Sequence, residues 1–525
     1  MTLTDTRTTS DNSATARGTV PTALERVIGT GEHQAIGRTF ILSSLLLMAI
    51  SAAALAVGGL TALSSGGALD LSDPLWNSAL VAMVLMGAIG LLLGLAICLV
   101  PLQVGSAAIA FPRAAALSLW AWLVSGLIFL VSIPLDGGVG GSKLEGARLG
   151  MLSMGSMMVA LSLGAVCVAT TVLSHRPVGM SLSRVPFFSW SMLVAAPIWI
   201  LTFGSTTAHV LLGQVSQTNA AGLALRFEAG VSWFLRAPAV YMLAIPVMGI
   251  ACDIVAQACG RRITRYSTVQ ALIGMYGVFS FGAWTQTSGG RQNIFWIAFV
   301  VLAAVPVLGL LGLIADTLRQ QKPEVSPGLV GVLLAFLLLL GGLLSGILEA
   351  LNTTGSGTLF SFEAAGLGWA QGVFLVSAAF LGGLAALSAW SRVVLRASEP
   401  RAIVFSAIAA GLVGGGLLGT VFLIQGLTGS GLNLSFYNVW VAVSASVLAL
   451  SALLGLLMAL VTSRGNSAEP DASGAVVSGA VGLTLEWAST ELSTQDQALL
   501  MSAIVGSPYP LLDFRSAGEP VEEEN

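Results

Sequence analysis

The chain reads as an all-α integral membrane protein of about twelve transmembrane helices. Three observations predict this class. Of 525 residues, 55% are hydrophobic and only 9% charged, where a soluble domain carries about a quarter charged. Apolar runs recur along nearly the whole sequence, most of them long enough to cross a hydrocarbon core that needs ~20 helical residues. Cationic residues concentrate on alternate loops, as the positive-inside rule requires.

Taken in order, the runs place spans at 38–63, 75–101, 111–134, 146–174, 185–213, 229–256, 265–287, 293–317, 327–351, 366–391, 401–427 and 437–462. Each is close to the ~20–25 residues a span requires. With the N-terminus inside, the cytoplasmic loops hold Arg113, Arg176, Arg184, Arg261, Arg262, Arg265, Arg319, Lys322, Arg392, Arg396, Arg401 and Arg464. The opposite loops hold only Lys143, Arg148, Arg226 and Arg291. That asymmetry predicts cytoplasmic termini and an even number of spans.

Three regions follow. Residues 1–36 are polar, rich in Thr and Ser, and lack the apolar stretch of a signal peptide; they read as a disordered cytoplasmic tail. Residues 37–462 form the transmembrane domain. Residues 463–525 are polar, Gly- and Ser-containing, and end in an acidic run from Val521 to Asn525, so they read as a solvated cytoplasmic tail. A net charge of −3 argues against nucleic acid or another polyanion as partner. The partner that composition does imply is the lipid bilayer. Cys98, Cys167, Cys252 and Cys259 are scattered, and no disulfide frame is implied. The 62 glycines, clustered at Gly341-Gly342, Gly382-Gly383 and Gly414-Gly415-Gly416, read as close helix packing in a bilayer.

Residues 233–241 read Trp-Phe-Leu-Arg-Ala-Pro-Ala-Val-Tyr and resemble the metal-binding helix of heme-copper oxidase subunit I, patterned WFFGHPEVY. Trp233, Phe234, Pro238, Val240 and Tyr241 keep the frame. Other landmarks are similar to that family and follow its order. Glu32 to Arg38 resembles DHKxIGxxY; Val100 to Gly105 with Ala110 to Arg113 resembles VPLxIGAPDxAFPR. Arg176 to Leu182 with Pro186 to Ser191 resembles RAPGMxLxxxPLFVWS, and Thr484 to Ala488 resembles TLEWA. Ser507-Pro508 through Asp513-Phe514 is similar to the segment that follows TLEWA. The resemblance runs from about residue 32 to 514 and implies the twelve-helix fold of cytochrome oxidase subunit I, in a bacterial plasma membrane.

The resemblance also implies six imidazole ligands for two hemes and a copper, and this chain has three His in total. Aligned on the motifs, the second-span heme ligand falls on Ser78. The copper ligands fall on Ala237, Gln286 and Thr287, and the tenth-span pair falls around Ala370-Gln371-Gly372. The proton-carrying Glu becomes Ala239, the proton-entry Asp becomes Ala108, and its Asn pair becomes Ala115 and Ala116. The membrane Lys falls near Leu310, and the propionate-binding Arg pair near Leu432-Asn433. His33 matches a non-ligating family position, His175 ends the fourth span, and His209 has no other His beside it. The expectation is therefore no catalytic, cofactor-binding or metal residue, no cofactor and no enzyme activity. Losing two hemes predicts inward closure of the bundle on its glycines with one residual lipid-lined pocket, because empty cavities cost ~24 cal/mol per Å³.

One charge, Arg236, lies well inside a span. Snorkelling toward the interface is the plain reading; an ion pair with Glu228, Glu349 or Glu363 is the functional one. Tyr241 without copper reads as an interfacial or core Tyr. Asp253 reads as helix-end charge pairing with Arg261 and Arg262. Three functions remain on these residues. The first is a non-catalytic subunit I relative acting as a structural or assembly partner of oxidase subunits II and III or of another respiratory complex. The second is a working terminal oxidase with unusual ligation. The third is a transporter or small-molecule binder reusing the core, with Arg236 at its site.

Overall fold

The computed structural model describes residues 30–64, 74–216, 220–285, 294–352, 364–428, 434–464, 482–491, 500 and 507–518. Its described part is built of helices that run back and forth between two faces. The proximal face is where the first helix begins, and the distal face is where it ends. The elements are α1 (His33–Ser64), α2 (Pro74–Gln103), α3 (Pro112–Ser132), α4 (Leu144–Ser174), α5 (Phe187–Ser216), α6 (Ala220–Arg236) and α7 (Pro238–Ala258). They continue with α8 (Tyr266–Phe279), α9 (Ile294–Leu302), α10 (Ala304–Gln320), α11 (Pro327–Asn352), α12 (Ala364–Ala389), α13 (Arg401–Thr428) and α14 (Leu434–Arg464).

Among the described residues, eleven helical stretches are long and apolar enough to cross a membrane, with α6–α7 and α9–α10 each counting as one. The remaining sequence span, 265–287, is a 14-residue α-helix that tightens into 3₁₀ turns from Ser280 to Thr285. The first span starts at His33, inside the region expected to be a disordered tail, because Glu32 and Gln34 are tied down. Arg396 donates to both, at 3.2 and 2.9 Å, and Arg38 donates to the Val394 carbonyl at 2.5 Å.

Helices α2, α7 and α12 form the centre. Their sequences are apolar on every side, and such helices belong in an interior; the apolar windows of α2 and α7 are buried throughout and that of α12 almost so. The other helices surround them and turn large apolar side chains such as Leu46, Leu127, Leu308 and Leu453 outward. Neighbours in this ring include α14 against α1, α13 against α14, and α3–α4–α5 in sequence, while central α12 packs on α11 and α13.

Glycine sets two of the closest approaches. A Cβ at Gly414 would lie 2.5 Å from the Leu448 backbone nitrogen, so α13 and α14 meet backbone to backbone. A Cβ at Gly383 would lie 2.5 Å from Leu91, which lets α12 press on α2. Both match the packing role expected of small residues in bilayers. Pro246 removes the N–H that would bond the Met242 carbonyl, and the Trp199 indole N–H fills the gap at 3.1 Å. In α2 the turn loosens to π geometry from Met83 to Ala88, and the Trp122 indole donates to the Leu85 carbonyl within it at 3.2 Å. Buried carbonyls released by helix irregularities are thus recaptured by tryptophans.

The described parts of the C-terminal region, 482–491 and 507–518, are packed against the bundle and not solvated. Leu483, Thr484, Leu485, Glu486 and Trp487 are buried, as are Tyr509 and Leu511. The Leu511 amide donates to the Leu483 carbonyl at 3.2 Å, joining the two segments. Arg262 is ion-paired with Asp513, and the Tyr509 ring lies edge-on to Tyr266 at 5.7 Å. Apolar anchors in a mostly polar stretch hold it against the proximal face.

Candidate functional site

The candidate site is the core between α2, α7, α11 and α12, where the sequence landmarks converge. Helix α6 stops at Arg236 and α7 starts at Pro238, because proline cannot supply the N–H an unbroken helix needs. Ala237 sits at this break and is 3% exposed. Beside it, Arg236 forms an ion pair with Glu349 of α11 at 3.6 Å. Glu349 is buried, and Arg236 is about a third exposed. Gly368 of α12 makes room for both, since a Cβ there would lie 3.0 Å from Arg236 Nε and 3.2 Å from Glu349 Oε1. Arg236 is therefore not the lone snorkelling cation of the plain sequence reading. A buried carboxylate one helix away draws it into the bundle.

Among the described residues, little space is left around this pair. A cavity of about 10 Å³ is lined by Arg236, Ala237, Tyr241, Tyr276, Gln371 and their neighbours. That is room for about one water molecule; pockets for larger organic ligands run from roughly 300 Å³ upward. Tyr241 is buried in the core and stacks against Tyr276 with ring centroids 5.1 Å apart. Gln371 lies against Gly346 of α11, where any Cβ would collide with its amide.

Ser78, Ala370 and Gly372 lie in a second closed region. Ser78 accepts a hydrogen bond from the Val139 amide at 2.8 Å. The loop that brings Val139 in is rich in glycine, and Gly138 holds φ at +73°, a conformation that favours glycine. Trp76, Trp369 and Phe422 fill the adjoining volume, with centroid separations of 6.3, 6.3 and 5.4 Å. Across from them, a Cβ on Gly372 would lie 3.6 Å from Leu80. The sequence anticipated closure on glycines, but bulky aromatics account for much of this filling. Ala239, Ala115 and Leu310 are buried among apolar neighbours. Gln286, Thr287, Glu363, Leu432 and Asn433 lie outside the described residues, as does the side chain of Glu228.

His33 is 7% exposed at the start of α1. His209 packs its ring on Gly230, where a Cβ would lie 2.5 Å from it. His175 follows the end of α4 and donates its backbone N–H to Thr171. The three imidazoles are thus held on α1, on α5 where it meets α6, and just past the end of α4.

A second polar constellation lies at the proximal face. Asp253 does not pair with Arg261 or Arg262. It accepts from the Phe187 and Phe188 amides at 3.2 and 2.9 Å. It thereby satisfies the orphan N–H groups at the start of α5, a position where a carboxylate is stabilised. Gln103, the Gln of the Val-Pro-Leu-Gln motif, points its amide at Asp253 (3.4 Å) and at Glu486 (3.3 Å), and accepts from Ser189 at 2.6 Å. Glu486 also accepts from Trp390 Nε1 at 3.0 Å and Thr484 at 2.7 Å. Burial pushes its carboxyl upward, against the pull of those donors. Sequence reasoning overlooked Glu486 and Gln103 as partners; the available signal was an acid flanked by Leu485 and Trp487 inside a retained motif.

With this geometry in view, the comparisons with known proteins agree on the fold. Residues 35–360 match the family described as Cytochrome C and Quinol oxidase polypeptide I. The chain belongs to that family. It is 26% identical over 362 residues to a probable cytochrome c oxidase subunit 1-beta of Nocardia farcinica, covering 62% of this chain and 60% of that protein. It is 27% identical over 348 residues to a heme-copper oxidase subunit I+III of Aeropyrum pernix (60% and 42%). To a quinol oxidase subunit 1 of Bacillus spizizenii it is 25% identical over 293 residues (51% and 45%). The matched regions thus span about two fifths to three fifths of these relatives' lengths. A cryo-EM structure of a heme-copper terminal oxidase dimer superimposes with a TM-score of 0.61 at 10% identity, covering 90% of this chain and 92% of that one.

Proposed function

We propose that this chain is a non-catalytic subunit I-like protein that acts as a structural or assembly partner in a respiratory membrane complex. The observation that carries the reading is the closed packing at the positions where the family holds its metals. Ser78, Ala237, Ala370 and Gly372 offer hydroxyl, methyl or no side chain, none of which holds heme iron or copper. Their neighbours leave about 10 Å³ beside Ala237. Among the described residues, no three His, Cys, Asp or Glu side chains converge. The residues present do not fit a heme or copper centre, and no oxidase step is derived through one. Both termini are proposed to be cytoplasmic, a reading supported by the loop cations. The surfaces free to meet other subunits are the family's outer helices and its proximal loops.

The test is purification of the full-length protein from its native membrane, followed by a pyridine hemochrome spectrum, copper analysis and identification of co-purifying chains. The expected result is no stoichiometric heme or copper, with oxidase subunits II and III or other respiratory proteins retained. Two hemes and one copper per chain would overturn the proposal in favour of a working oxidase. A metal-free protein that retains no respiratory partner would overturn its assembly role.

A further inference from the structure

A second cavity, of about 130 Å³, opens on the proximal face between the ends of α7, α11, α12 and α13. Trp487 of the C-terminal segment forms part of its wall. Its volume approaches the roughly 150 Å³ of an engineered protein cavity that holds benzene. Unlike the closed core, it is lined by charge: Glu324 and Glu399, Arg392 and Arg401.

The charges are arranged by depth. Glu399 is the more buried, with Oε1 accepting from Ser388 at 2.9 Å. Its second oxygen is shielded from solvent and has no hydrogen-bond partner. Arg392 and Arg401 lie at the exposed mouth. Among the described residues, none of these four side chains forms an ion pair. A carboxylate side chain lining a cavity favours a strong donor, because leaving its acceptors unsatisfied costs ~1–3 kcal/mol. Burial accordingly pushes the Glu399 carboxyl up to about 7 even with Arg401 nearby.

The choice of ligand follows from sign and geometry. A divalent cation takes six to eight oxygens, and two guanidinium groups at the mouth oppose its entry. A simple anion meets Glu399 and Glu324. A primary ammonium supplies three N–H donors, enough for Glu399 with donors left over for Gln257 and Ser391, which also line the cavity. An anionic group a few bonds away then reaches the guanidinium pair.

We propose that this cavity binds a compact zwitterion, with its primary ammonium on Glu399 and its anionic group at the mouth beside Arg392 and Arg401. Phosphoethanolamine has this chemistry, either as a soluble molecule or as the headgroup of a phospholipid. The site is separate from the closed core, so its occupancy and the heme content of the protein are independent readouts.

The experiment uses the full-length protein in phosphatidylcholine nanodiscs, titrated with phosphoethanolamine and read by equilibrium dialysis. Saturable binding is expected, at least about tenfold tighter than for phosphocholine, ethanolamine or inorganic phosphate alone. Glu399→Gln should weaken it by about tenfold or more, and Arg392→Ala with Arg401→Ala by several-fold. Ser398→Trp at the exposed rim should block the mouth sterically, which keeps the test decisive if the Glu399 variant misfolds. Phosphatidylethanolamine nanodiscs distinguish the source. A lipid occupant suppresses the soluble ligand's binding there, and native mass spectrometry finds the lipid retained by wild type but not by the variants. A soluble occupant binds equally in both bilayers. Equal binding of phosphocholine, wild-type binding by all three variants, or neither soluble binding nor lipid retention would overturn the assignment.

Discussion

The distal core and the proximal face of this bundle handle polarity in opposite ways. In the distal core, Ser78, Ala237, Ala370 and Gly372 are small, and the volume beside Ser78 is taken by Trp76, Trp369, Phe422 and the Val139 loop. One ion pair, Arg236–Glu349, supplies its charge. At the proximal face, Asp253, Gln103 and Glu486 remain joined in a hydrogen-bonded network, and a charged cavity stays open beside them. The difference shows where this chain uses polar side chains as structural supports and where it packs apolar ones instead. Motif residues at the proximal face cap the start of α5 and anchor the described C-terminal segments, which is structural work.

The largest effect that would sharpen this contrast is expected at Trp76. It is 1% exposed between α1, α12 and α13, and Trp76→Ala should destabilise the protein by ~3–5 kcal/mol. Thermal or denaturant unfolding in detergent measures this. A loss below ~1 kcal/mol would show that the aromatic trio is not what fills the distal core.

Next in size is the ion pair. Glu349→Leu leaves Arg236 without its carboxylate and should cost ~3 kcal/mol, the lower end for buried pairs because Arg236 is partly exposed. Replacing both residues by Leu should restore most of that loss, since apolar substitution of a whole buried pair is often neutral. Failure of the double variant to recover would mean that the pair does more than satisfy its own charges.

At the proximal face, Glu486→Leu removes the acceptor shared by Trp390, Thr484 and Gln103. A loss of ~1–3 kcal/mol is expected, confined to release of residues 482–518. Limited proteolysis should cut that segment while the helices stay intact. Global unfolding instead would show that the network supports the bundle itself.

The smallest effect is a pH dependence. The Glu399 carboxyl is raised from its ordinary 4.5 to about 7 by burial, with Ser388 and Arg401 opposing. Between those values the folded state binds more protons than the unfolded one, so stability is full below about 4.5 and declines as pH rises through about 7. Glu399→Gln should flatten that decline in a thermal series from pH 5 to 8. An unchanged slope would assign it to the deeper acids Asp253 and Glu486.

The helical spans were legible because hydrophobic length and loop charge are properties of the chain alone. The tightening of the span at 265–287 into 3₁₀ turns from Ser280 was not, since a run of six residues is too short to tell a period of 3.6 from one of 3.0. Arg236 was visible as a charge in a span, and Glu349 was one of three carboxylates within reach. The crossing of α6, α11 and α12 at Gly368 brings Glu349 to Arg236. Asp253 looked like a helix-end partner for Arg261 and Arg262 because they are near in sequence. Its actual partners, the Phe187 and Phe188 amides, are remote in the chain. The C-terminal segment read as solvated because window composition cannot see that a few apolar anchors find a prepared surface.

By itself, then, the sequence determined a many-span helical membrane protein, its motif order and the scarcity of imidazoles in it. These depend on residue identity and hydropathy, which need no partner to be read. Only the tertiary structure decided how the core closes, which acid holds Arg236, and where Glu399 meets a cavity. Those outcomes depend on side chains far apart in the chain arriving within a few ångströms, and helix packing alone sets that distance.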